Sequence, residues 1–216
     1  MNATAYATDL EAGRTQTLFG RVMALVALTV GFATLGVYLG RNLGGAEWFV
    51  AWLIALGCLI GLNVANASGN QGLALVLLFA FGLLIGASVA TTVNYYSATD
   101  PTAVRQAFGA TALFVGALGA GGYAIRRDLS FLYRTLFWLL LGLILAGMVA
   151  IIANIQAAYT VYAIAGLAIF GLYTVVDFNR LRRAGTDEAI PLAAAIFLDI
   201  LNIFLFFLRL FGGRSS

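Results

Sequence analysis

Seven apolar stretches, at roughly 18–40, 46–66, 72–94, 104–125, 132–154, 158–179 and 190–211, alternate with short polar or glycine-rich breaks. Each is close to the ~20 apolar residues a helix needs to cross a bilayer. The pattern predicts an all-α polytopic membrane protein with seven transmembrane helices. The breaks are RNLGGAE (41–47), ASGNQG (67–72), YYSATDPTAVR (95–105), RRDLS (126–130), NIQAA (154–158) and RLRRAGTDEAIP (180–191). Pro101 is expected to stop any helix in the third. None of the breaks is long enough for a catalytic or binding module. The expected organisation is a tail over 1–17, one membrane domain over 18–212 and a tail over 213–216.

Composition agrees with lipid as the solvent. Of 216 residues, 62% are hydrophobic and 10% charged, and the mean hydropathy is +0.97. A soluble domain averages roughly 25% charged residues, so this chain cannot coat a water-exposed surface. All 12 basic residues are arginine, and there is no lysine or histidine. A retinal Schiff base, serine–histidine catalysis and imidazole metal ligation are therefore excluded. The lone Cys58 cannot form an internal disulfide and reads as a small hydrophobe. The net charge of +3 reflects loop arginines at a membrane surface and not a nucleic-acid footprint.

Residues 1–16 lack the basic and apolar regions of a cleavable signal peptide, so the first span is expected to remain as an anchor. With the N-terminus cytoplasmic, the inner segments hold Arg14, Arg21, Arg126, Arg127, Arg134, Arg180, Arg182 and Arg183. The outer segments hold Arg41, Arg105, Arg209 and Arg214. This asymmetry favours an N-in orientation. Gly36/Gly40, Gly57/Gly61 and Gly82/Gly86 are spaced for close helix packing, with intramolecular contact the expected use.

Two acidic residues break the apolar pattern: Asp177 in LYTVVDFN (172–179) and Asp199 in AAIFLDILNIF (194–204). An aspartate at a helix centre costs roughly 2.5–3.5 kcal/mol on insertion scales, so it normally faces a bundle interior or a cavity. The last two spans are antiparallel and joined by a short break. Counting from its ends places Asp177 about 9 Å and Asp199 about 13–14 Å into the membrane at about 1.5 Å per residue. Their side chains are therefore expected to meet. Two carboxyls in one low-dielectric site cannot both ionise cheaply, and they titrate as a pair. That makes a proton sensor and, when both ionise, a transient cation site of hard oxygens. Structural readings remain open: Asp177 snorkelling or pairing with Arg180, and Asp199 bonding Asn202.

Three stretches bear a closer likeness. They are GGYAIRRDLSFLYRTLFWLLLGLILAGMV (121–149), LYTVVDFNRLR (172–182) and IPLAAAIFLDILNIFLFFLRLFG (190–212). Together with the span count, they make the chain resemble the Bax inhibitor-1 family, in particular its bacterial seven-helix members. The resemblance implies six helices packed around a central C-terminal helix. It also implies a pH-sensitive calcium leak, with calcium as the permeant ion, no cofactor, and Asp177 and Asp199 as sensor and gate. The implied setting is a bacterial inner membrane, with lipid, protons, calcium or other cations and membrane proteins as partners. Close relatives place an arginine near the end of the second span, which latches the helix-six acid. Here GLNVANASGNQG (61–72) contains no cation. Asn63, Asn66 or Asn70 can hydrogen-bond a carboxylate without neutralising it, and Arg180 is the remaining candidate counter-charge. The pH response is therefore expected to differ from that of latch-bearing relatives.

Rival functions are a proton-coupled transporter of small solutes and a non-transporting regulator of membrane proteins. An enzyme is not expected. Intramembrane aspartyl proteases carry GxGD, whereas Ile196-Phe197-Leu198 precede Asp199 and Thr174-Val175-Val176 precede Asp177.

Overall fold

The computed structural model describes residues 3–153 and 156–212. Its helices are α1 (Ala3–Leu39), α2 (Glu47–Ala67), α3 (Gln71–Ser88), α4 (Ala90–Thr99), α5 (Pro101–Ala124), α6 (Leu132–Ile152), α7 (Gln156–Leu181) and α8 (Ala189–Gly212). There is no strand among the described residues. Seven helices are long and apolar enough to cross a membrane, from Thr17–Asn42 to Thr186–Gly212. The protein is an all-α polytopic membrane protein, as the apolar blocks predict.

The first span begins at Thr17, beside the expected 18, while one later boundary differs from expectation. The stretch read as an N-terminal tail is helical from Ala3; its alanines, leucine, glutamate and arginine favour helix, and no proline interrupts them. The expected break at 95–105 is mostly helix, with α4 running to Thr99 and α5 starting at Pro101. Pro101 ends one helix, as expected, and opens the next, the residue before a proline being disfavoured in helix. At the first helical position its missing N–H breaks no bond, and Asp100 Oδ1 caps the turn by accepting from Ala103 N at 3.0 Å. The third span is also shorter than read, ending at Ser88. The expected tail over 213–216 lies outside the described residues.

The chain divides into two compact units, one of residues 1–92 with 181–197 and the other of 93–180 with 198–216. In the first, α3 packs against both α1 and α2. The α1–α3 approach depends on glycine. A Cβ on Gly86 would fall on the Ala33 carbonyl, and one on Gly36 on the Leu83 carbonyl. Two of the three glycine pairs thus serve intramolecular packing, as expected. Gly57, by contrast, meets nothing within 4 Å. Phe81 of α3 meets Phe197 of α8 edge-on, with centroids 5.8 Å apart.

In the second unit, Ala107 of α5 and Phe204 and Leu208 of α8 form a buried cluster covered by Val93, Tyr96 and Val104. Phe206 seats its ring on Gly166 of α7. Gly122 brings α5 onto the α7 backbone, where a Cβ would meet Val175. Burial of the membrane-spanning windows is greatest in α8, at 50%, and least in α6, at 11%. The last span is therefore the most enclosed, in keeping with the expectation for the C-terminal helix.

Candidate functional site: a buried carboxyl pair

Both aspartates belong to the second unit, Asp177 on α7 and Asp199 on α8, only 3% and 4% exposed. On α7, Tyr173, Thr174, Asp177 and Arg180 recur at the three- and four-residue spacing that lines one helix face. The two carboxyl groups come within hydrogen-bonding reach of each other. The expected meeting of the side chains is what the structure contains.

Each carboxyl has a different environment. The Tyr133 hydroxyl, from the first turn of α6, donates a short hydrogen bond to Asp177 Oδ1. Thr174 lies against Asp199, but its hydroxyl donates to Phe170 O at 2.9 Å in its own helix. Asp199 Oδ2 is buried with no hydrogen-bond partner among the described residues. A buried polar atom without a partner is costly. A proton held between the two carboxyls supplies the missing donor, because an ionised carboxylate only accepts.

Arg180, at the exposed end of α7, acts on Asp177 electrostatically and lies within hydrogen-bonding reach of the Tyr133 hydroxyl. It is the expected polar partner that does converge on the pair. The others have different uses. Asn202 Nδ2 donates to Leu198 O at 2.8 Å, the i−4 carbonyl of its own helix, and has no bond to Asp199. Asn63 Nδ2 likewise donates to Leu59 O at 2.8 Å. Asn66 Oδ1 accepts from Gln71 Nε2 at 3.0 Å, and Asn70 caps α3 by accepting from Leu73 N at 3.1 Å. In a helix the nearest unsatisfied backbone group captures a short amide side chain. Asn63, Asn66 and Asn70 therefore close local contacts inside the first unit, and Asn202 closes one inside the second.

Two residues that matter here were not singled out as site residues from sequence. Tyr133 is one. The other is Asn179, fully buried two positions after Asp177. Its Nδ2 donates to Ile125 O at 2.7 Å, Arg127 O at 3.1 Å and Gly122 O at 3.3 Å. Its Oδ1 accepts from Leu129 N at 3.0 Å. One carboxamide thereby pins the α5–α6 connection onto α7, and Tyr133 follows that connection directly. The signal for Asn179 was present, since an amide inside an apolar span needs partners. The signal for Tyr133 was weak, because a tyrosine near a span end is commonly an interfacial anchor. Asn179→Ala is expected to lower stability by about 2 kcal/mol, because four backbone groups, one of them on buried Gly122, lose their partner together. Thermal unfolding in detergent measures it.

Among the described residues no group of three or more acidic or cysteine side chains converges. Any cation at the pair would find two carboxyls and the Tyr133 hydroxyl, a sparse oxygen set compared with the six to eight ligands of a resident calcium site.

The sequence model described as "Inhibitor of apoptosis-promoting Bax1" matches residues 15–216. The chain belongs to the Bax inhibitor-1 family. Among similar proteins, "Inner membrane protein YbhL" of Escherichia coli (strain K12) is 27% identical over 170 residues, covering 74% of this chain and 71% of the relative. An uncharacterized membrane protein of Vibrio cholerae is 27% identical over 165 residues, with 76% and 73% covered. One from Streptococcus pyogenes is 25% identical over 231 residues and spans 98% of this chain and 99% of its own length. Family membership thus covers the seven spans, including both aspartates.

Proposed function

We propose that this Bax inhibitor-1 family protein is a pH-sensitive cation leak channel, with calcium as the permeant ion and protonation of the Asp177–Asp199 pair as its gate. The observation that carries the reading is the buried pair itself, whose Asp199 Oδ2 lacks a donor unless a proton is present. Such a pair has two arrangements. With a shared proton the carboxyls hold α7 and α8 together. With both ionised they repel, and the helices separate or take up a cation. Proton binding is thereby coupled to helix position, which a gate requires. The protein performs no catalysis in this reading.

The proposed setting is a bacterial inner membrane, the location that the name of the Escherichia coli relative gives. The arginine asymmetry supports a cytoplasmic N-terminus, which puts the α5–α6 and α7–α8 connections on the cytoplasmic side.

Calcium entry into liposomes reconstituted with the purified protein, followed from about pH 6 to about pH 8, tests whether flux follows the protonation of the pair. Flux that changes with pH is expected. Absence of flux at every pH overturns the leak, and saturable counterflow of a small solute would replace it with a transporter.

A further inference from the structure

Tyr133 connects the carboxyl pair to a fixed positive charge. Its hydroxyl hydrogen goes to Asp177 Oδ1, and the same oxygen is within hydrogen-bonding reach of the Arg180 guanidinium. We propose that Tyr133 is a positioning residue of the site, bridging Arg180 to the Asp177–Asp199 pair and governing when the pair takes up its proton. The inference rests on the reading of the pair as a proton-responsive gate.

Donor and acceptor chemistry fixes the direction of the bridge. Arginine only donates, a carboxylate only accepts, and a phenol does both. The chain therefore runs from Arg180 through Tyr133 to Asp177, each bond polarising the next. The titratable or charged groups acting on the pair are Tyr133 from α6, Tyr173 and Arg180 from α7, and the two aspartates on each other. Arg180 is the cation in that set. Its charge reaches the pair from α7 by way of a neutral hydroxyl.

The hydroxyl is held in place from both sides. Asn179 fixes the connection that leads into α6, and Tyr133 N donates to Ser130 O at 3.2 Å. The Tyr133 ring lies 6.4 Å from that of Tyr173. α7 thus grips the start of α6 through Asp177 and the connection before it through Asn179. Any change in the Asp177 carboxyl alters one of those grips and leaves the other.

The experiment is an infrared titration of the protonated-carboxyl stretch in purified full-length protein, run alongside liposome flux. In Tyr133→Phe the band is expected to persist to a pH about one unit higher than in the wild type, because a hydrogen bond to the charged form has been removed. The flux midpoint should move with it. Arg180→Gln should shift the wild-type titration more than it shifts the Tyr133→Phe titration, the non-additivity expected of a bridge. A Tyr133→Phe titration that overlays the wild type overturns the proposal, and so does an equal Arg180→Gln shift in both backgrounds. Arg180 is exposed, so if Tyr133→Phe fails to fold, Arg180→Gln decides: an unshifted band overturns the bridge. Shifted bands with no wild-type flux would sink the leak reading and keep the bridge.

Discussion

Protein carrying both Asp177→Asn and Asp199→Asn is expected to pass cations at a rate that changes by less than about twofold from pH 6 to pH 8, because no titratable carboxyl remains in the pair. The substitutions are nearly isosteric, and an amide adds two donors to one acceptor. The Asp199 oxygen that lacks a partner would face an Nδ2 donor across the pair, and Tyr133 could still donate to the amide oxygen at position 177. The fold should therefore survive, which thermal unfolding can check. What disappears is the choice between a shared proton and two repelling charges. Flux that still follows pH in the double variant would place the sensor elsewhere in the protein.

The second large effect concerns the floor on which the pair stands. Gly122→Ala is expected to lower stability by about 1–3 kcal/mol through overpacking. A Cβ at Gly122 would overlap the Val175 backbone, with Val175 Cα at 2.8 Å. The obstacle is backbone and cannot rotate away. Relief requires α5 and α7 to separate, and that separation strains the Asn179 bonds to Gly122 O, Ile125 O and Arg127 O. Gly116→Ala, in the same helix with nothing within 4 Å, is the control. It is expected to be neutral or slightly stabilising, since alanine favours helix over glycine by up to about 1 kcal/mol. Equal effects at the two positions in thermal unfolding would contradict the close-packing account.

Legibility followed from how far each signal reaches along the chain. The seven spans were plain because lipid demands a continuous apolar run of fixed length. Asp177 and Asp199 stood out because charge inside such a run is rare and costly. Their meeting could be argued from depth alone, since a short connection holds two antiparallel helices in register. Pro101 was half legible: α4 does stop before it, but that it also opens α5 depends on the cap at Asp100, a side-chain geometry. The asparagines of residues 61–72 misled for a related reason. Polarity in sequence shows that a partner is needed but not which one, and Asn63, Asn66 and Asn70 found theirs within a few residues.

The sequence alone therefore determined the solvent, the span count and the identity of the two buried acids, because each depends on local composition against a bilayer of set thickness. Only the tertiary structure decided what surrounds the pair. Tyr133 lies 44 positions before Asp177, and Asn179 reaches back 50 positions to Leu129. No periodicity within one helix encodes such partners. They are chosen where helices pack closely enough for one hydroxyl and one carboxamide to find the groups that lipid leaves without water.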